Sequence, residues 1–161
     1  MQIDAPHILV DADACPVKQE IYKVAGRHKL QTVLVANAYI RVPEGGLFRF
    51  QKVDDSFDAA DDWIAQHCNA KSIVVTNDIL LAERCLTSKA SAVLSPTGKP
   101  FTDAAIGNKV ATRAIMEDLR ASVGTKANAM AAHVGGPSAF SAKDRSRFLE
   151  ALHLACERAK R

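Results

Sequence analysis

Short, continuously apolar segments punctuate the first two-thirds of the chain. His7-Ile-Leu-Val-Asp11, Thr32–Ala36 (TVLVA), Ser72–Thr76 (SIVVT) and Ala92–Ser95 each have the length and β-branched content of a strand buried on both faces. Phe48–Val53 predicts a further short strand. Between these runs the period changes. Val17, Ile21 and Val24 recur at helical spacing after Pro16, which stands where a first helical residue would. Phe57, Ala60, Ile64 and Cys68 mark an amphipathic helix, and Ile79–Ser88 predicts another. Tyr39–Gly46, with Pro43 and Gly45-Gly46, reads as a loop. Strands alternating with helices predict an α/β fold whose parallel sheet is joined by right-handed crossovers.

After Pro100 the pattern turns helical. Thr102 is placed to cap a helix over about 103–122, and the glycine-containing stretch 124–137 reads as flexible. Ser141 and Asp144 have capping-box spacing, and Phe148, Leu149, Leu152 and Cys156 give the following helix a buried stripe. Two helices make a poor core of their own, so residues from about 102 to 161 are expected to pack as a tail on a single domain.

Composition narrows this picture. At 48% hydrophobic residues in a chain of 161, a real core is available and the composition argues against a disordered chain. No apolar run is long enough to span a bilayer, and the opening residues lack the basic and apolar regions of a secretory signal. Cys15, Cys68, Cys85 and Cys156 form no C-x-x-C pair, which suits reduced thiols and a cytoplasmic location. A net charge of +3 permits a nucleic-acid partner without demanding one.

The candidate chemistry is acidic. Ligands of open α/β sheets sit outside the carboxyl ends of the strands. Asp11 and Asp13 end the first strand, and Asp78 follows the Ser72–Thr76 strand. Asp58, Asp61 and Asp62 stand at i, i+3 and i+4 near a helix start, on one face. Plainer roles exist: Asp78 as a helix N-cap, Asp58, Asp61 and Asp62 as acids favoured by a helix dipole. Two acids at i and i+2 on a strand end are harder to explain that way. Carboxylates brought within about 4–6 Å repel one another, and a cation relieves the repulsion. All-oxygen donors favour Mg²⁺ or Mn²⁺, and the five histidines show no zinc-ligand spacing. The expected reaction is phosphodiester hydrolysis.

Basic residues that would grip phosphates are Arg41, Lys109, Arg113, Arg120, Arg145 and Arg147, although a solvated helix face accounts for most such patterns. Cys15 precedes Pro16 at a helix start, but the neighbouring acids oppose a nucleophilic thiolate.

Val10-Asp-Ala-Asp-Ala-Cys-Pro16 resembles the opening signature of the YaiI/YqxD family of uncharacterised bacterial proteins. Val33-Leu-Val-Ala-Asn37, Arg41-Val-Pro43, Asp58-Ala-Ala-Asp61, Ile73-Val-Val-Thr76, Asp78-Ile-Leu-Leu-Ala82, Leu119-Arg120, Gly135-Gly-Pro137 and Asp144-Arg145 extend the match over nearly the whole chain. That family is similar to the PIN-like nucleases in the order of its acids. The resemblance implies a three-layer PIN-like domain with a mainly parallel central sheet and a helical C-terminal extension. It implies Mg²⁺- or Mn²⁺-dependent nuclease chemistry on RNA or DNA, with Asp11, Asp13, Asp58, Asp61 and Asp78 as metal ligands. Asp11, Asp13 and Asp78 would be catalytic, and Asp62 falls just outside the matched motif. The tail is expected to shape a substrate groove or a homodimer contact.

Two rivals stand beside this reading. In a haloacid-dehalogenase-like phosphatase, Asp11 and Asp13 would be nucleophile and acid, Thr76 the strand-end hydroxyl, and Lys89 or Lys99 the phosphate lysine. That chemistry needs a further acidic pair, where only isolated Asp103, Asp118 and Asp144 are available. The other rival is a metal-dependent nucleic-acid-binding module without turnover.

Overall fold

A computed structural model describes residues 3–13, 15–104, 106 and 140–161. Its strands are β1 (His7–Asp11), β2 (Gln31–Ala36), β3 (Phe48–Lys52), β4 (Ser72–Val75) and β5 (Ala92–Leu94). Its helices are α1 (Lys18–His28), α2 (Ala59–His67), α3 (Ile79–Thr87) and α4 (Ala142–Ala159). The strands form one sheet in the order β3-β2-β1-β4-β5, and every pairing is parallel. The predicted strands therefore all form, each within a residue or two of its expected ends.

Alternation along the strands assigns each side chain to a face. Ile8, Val10, Leu34, Ile73 and Val75 pack with Ile21, Val24 and Ala25 of α1 and with Phe148, Leu152 and Cys156 of α4. Leu9, Val33, Val35 and Val74 pack on the other face with Ile64 of α2 and with Leu81, Ala82 and Cys85 of α3. The result is three layers, with helices on both faces of the sheet. By the same alternation Asp11 and Thr76 project toward the α2–α3 layer.

The winding fixes where a site can sit. β1 leads through α1 to β2 on one face, whereas α2 and α3 cross the other face to reach β4 and β5. The sheet therefore reverses its winding between β1 and β4, where His7 pairs with Ser72 and Val10 with Val75. Crevices open at the carboxyl ends of strands at such a switch point. At the opposite edge His7 is fully buried, yet its ring is satisfied by Ala5 O at 2.8 Å and Ser72 Oγ at 2.7 Å. It is a structural histidine.

Two local details carry the tail. The Ser141 hydroxyl accepts from Asp144 N at 3.1 Å, while the Asp144 carboxylate accepts from Ser141 N at 3.1 Å, completing the expected capping box. Gly98 holds φ +86° in the turn after β5, and a Cβ there would lie 2.7 Å from the Arg147 carbonyl. Only glycine lets that turn approach the backbone of α4 so closely.

Two expectations are corrected. Val17, not Pro16, occupies the N-cap of α1, because the turn after β1 runs through Cys15 and Pro16 before the helix begins at Lys18. Phe57 lies outside the buried stripe of α2: the helix starts at Ala59, and Phe57 is 100% exposed. The parallel sheet expected from the alternation of strands and helices is present. Lys109, Arg113, Arg120, Asp118 and the stretch 124–137 lie outside the described residues, as does most of the helix expected over 103–122.

Candidate functional site

Acids from three separate segments line one cavity of about 590 Å³ at the switch point. Asp11 comes from the end of β1, Asp58 and Asp61 from the start of α2, and Asp78 from the start of α3. Phe57, Asn77, Ile79, Leu80, Leu81 and Arg84 complete its wall.

Each carboxylate is held differently. Asp11 is half-buried and accepts a hydrogen bond from the Thr76 hydroxyl at 3.0 Å. Thr76 in turn accepts from Asp78 N at 3.0 Å, tying the ends of β1 and β4 to the start of α3. Burial pushes the Asp11 pKa up, the Thr76 bond opposes this, and the charges of Asp13 and Asp78 add to the rise. Asp78 does cap its helix, since Oδ1 accepts from Leu80 N at 2.8 Å and Leu81 N at 3.3 Å. That plainer role leaves its second oxygen uncommitted to the cap.

Among the described residues, Asp61 is the most perturbed acid. Its pKa is pushed up to about 7, by burial first and then by the charges of Asp78 and Asp11, a hydrogen bond with Asp78 and the charge of Asp58. Asp58 sits at the N-cap of α2 but makes no side-chain cap bond, so the capping explanation fails for it. Asp62 turns away and pairs with Arg84 at 2.9 Å. The two neighbours thus divide, Asp61 into the cavity and Asp62 onto a cation at its rim. Asp13 is exposed and does not line the cavity; its charge is felt by Asp11, and its Oδ2 accepts from Asn37 N at 3.4 Å.

The carboxylates share a cavity without closing into a tight cage. Among the described residues, the one trio of His, Cys, Asp or Glu ligand atoms lying within 4.8 Å of one another is His28, His153 and Glu157, elsewhere in the molecule. The donor set of the acidic cavity still fits a hard ion: every oxygen comes from carboxylate, and Mg²⁺ keeps several waters and takes only one or two carboxylates directly.

The cations are less well placed than the acids. Arg145 is spent on Glu20, 3.2 Å away in the α1–α4 layer, and stacks over Phe140. Arg41 is exposed in the loop after β2 and does not line the cavity. Arg84, which the pattern of basic residues passed over, does. No sequence signal singled it out, because its partner Asp62 lies on a different helix. Lys89 follows the far end of α3, roughly 13 Å along the axis from its acidic start. It is remote from the place a phosphatase lysine would occupy. Burial raises the Cys15 thiol pKa above its ordinary value, which keeps it protonated and unreactive. All four cysteines are free, as their spacing predicted.

The perturbed acids make a testable demand on stability. Asp61 titrates near 3.8 when unfolded and near 7 when folded, so the native state binds its proton more tightly. Its contribution is fully present below about pH 4 and is lost as pH rises through about 7. Asp61→Asn removes that loss. We expect it to stabilise the metal-free protein by about 1–2 kcal/mol at pH 8, after discounting for partial exposure, and to change little at pH 4. Urea melts at the two pH values measure this, and parallel profiles for both proteins would contradict the assignment.

An open, all-parallel α/β sheet with an acidic cavity at its switch point defines the class of the molecule. The chain belongs to the YaiI/YqxD family: the model described as "Uncharacterized BCR, YaiI/YqxD family" matches residues 9–158. It is 58% identical over 159 residues to a UPF0178 protein of Sphingopyxis alaskensis, covering 99% of this chain and 98% of the other. A UPF0178 protein of Rhodopseudomonas palustris is 49% identical over 154 residues, with 96% and 92% covered. One of Brucella ovis is 50% identical over 155 residues, with 96% and 91% covered. No solved structure matches. Among the described residues, no helix is long and apolar enough to cross a membrane.

Proposed function

We propose that the protein is a Mg²⁺- or Mn²⁺-dependent phosphodiesterase acting on RNA or DNA, in the manner of PIN-like nucleases. One observation carries the reading: acids from β1, α2 and α3 share a cavity, where burial and the neighbouring charges push the Asp61 pKa up to about 7. Burying mutually repelling carboxylates costs stability unless a cation offsets the repulsion. Asp11, Asp61 and Asp78 would hold the ion, with Asp58 and Asp13 at the margin. When bound, a hard divalent ion neutralises phosphate charge and acidifies water. The chain's own contribution is positional. Thr76 orients Asp11, the α3 amides fix Asp78, and Arg84 at the rim offers a cation to a phosphate. Exposed Phe57 and half-exposed Leu80 supply apolar surface against which a base can rest.

The test is a Mn²⁺ titration at pH 8. Saturating Mn²⁺ is expected to raise Tm by about 5 °C or more and to permit cleavage of a labelled single-stranded oligonucleotide, with EDTA reversing both. Stabilisation and strand binding without cleavage would favour the binding module. Absence of any Mn²⁺ effect would defeat both readings.

A further inference from the structure

A second group of ligating side chains lies across the sheet from the acidic cavity, where the end of α1 meets the last turns of α4. His28 closes α1 with only 4% of its side chain exposed. His153 and Glu157 stand at i and i+4 on α4 and so share a face. His28 Nε2 lies 2.9 Å from His153 Nδ1, and Glu157 Oε1 lies 3.8 Å from His28 Nδ1. One ligand atom from each of the three falls within 4.8 Å of the others.

We infer that His28, His153 and Glu157 form a binding site for a zinc-class transition-metal ion, which would clasp α4 to α1. Two imidazoles and one carboxylate are a known donor set for Zn²⁺, with a fourth position left to water, whereas hard ions prefer all-oxygen sites. The spacing is close to what the ion needs. Bonds of about 2.0–2.1 Å at tetrahedral angles put donors about 3.4 Å apart, so with His28 ligating through Nε2 the two ring nitrogens need to part by about half an ångström, and Glu157, now nearest the other nitrogen, must reach across to the ion. Glu157 has the freedom to swing in, with 47% of its side chain exposed.

The neighbouring charges already favour ligation. Burial, Lys160, His153 and Arg27 hold the His28 pKa down, with Glu157 opposing, so the ring is neutral as a metal ligand must be. Lys160 is the competitor: its Nζ lies 3.3 Å from His28 Nδ1. Coordination through Nδ1 displaces Lys160 directly. Coordination through Nε2 leaves the ring proton on Nδ1, facing the ammonium. Lys160 must therefore withdraw in either case, which its position at the C-cap of α4 allows.

The site is tested by titrating Zn²⁺ calorimetrically into the tag-free, chelator-stripped full chain, with Zn²⁺-dependent Tm as a second readout. We expect a tight first equivalent to bind with Kd at or below about 1 µM. His153→Ala should weaken binding by about 100-fold or more and abolish the Zn²⁺-dependent rise in Tm, while Lys160→Ala should tighten binding by about 10-fold. Asp11→Asn should leave zinc affinity unchanged, separating this site from the acidic cavity. Binding weaker than about 100 µM, or affinity unaffected by His153→Ala, would overturn the assignment. A histidine pair that serves packing alone would lower Tm on truncation equally with and without zinc.

Discussion

Asp11→Asn is expected to lower Mn²⁺-dependent cleavage of a single-stranded oligonucleotide by at least about 100-fold, while leaving the fold intact. The two halves of that expectation have separate causes. Asp11 is the cavity acid built into the sheet itself, at the end of β1 beside the point where the winding reverses. Its oxygen is aimed by Thr76, and its charge is felt by Asp61 on α2. Removing that charge takes away a ligand that the proposed ion cannot replace from another backbone position. The fold, by contrast, gains from the change. Burial already disfavours the Asp11 carboxylate, and an amide oxygen accepts the Thr76 hydrogen bond as a carboxylate does. The variant should melt at or above the wild-type temperature at pH 8, so lost cleavage could not be ascribed to unfolding. Undiminished cleavage by the purified variant would remove Asp11 from the mechanism.

Phe148→Ala is expected to cost about 3–5 kcal/mol, a large share of the stability of a domain this size. Phe148 is fully buried and first among the largest buried side chains. It belongs to the cluster that joins α4 to Ile21 and Val24 of α1 and to Ile73 and Val75 of β4. The turn after β5 lies so close to α4 that a Cβ on Gly98 would come within 2.7 Å of the Arg147–Phe148 backbone, so the surroundings have little room to collapse into the space left behind. Cavities that cannot relax are the costly ones. Urea unfolding followed by tryptophan fluorescence at Trp63 and by circular dichroism would measure the loss. A cost below about 1 kcal/mol would mean that α4 is not seated on the sheet as described.

The family places no activity on the chain, so the electrostatics of the cavity carry the functional reading. Asp61→Asn and Asp11→Asn probe the same repulsion from its two sides. Each should stabilise the metal-free protein at alkaline pH, and each should weaken Mn²⁺ binding. A functional site that costs stability in this way is a common compromise.

Much of the molecule was determined by its sequence alone. The runs HILVD, TVLVA and SIVVT become β1, β2 and β4 because a strand covered on both faces needs unbroken apolar content, a property of consecutive residues. The capping box at Ser141 and Asp144 formed because its two hydrogen bonds span only three residues. The nearness of the acids to the carboxyl edge was legible for the same reason: Asp11 ends β1, and Asp78 follows β4 after only Thr76 and Asn77.

Which of those acids face one another was decided only by the tertiary structure. Asp61 and Asp62 are adjacent and chemically identical, yet one enters the cavity beside Asp78 and the other pairs with Arg84. Arg145 meets Glu20 across two helices rather than joining the acids, and Phe57 lies bare because α2 begins two residues later than its apolar spacing suggested. Ring nitrogens of His28 and His153 stand 2.9 Å apart across a sequence separation of 125. Local pattern fixes which face of an element is apolar, but the distance between side chains on separate elements depends on strand order, crossover hand and helix seating. Those follow from packing the whole chain at once, and the chemistry of both candidate sites resides in distances of that kind.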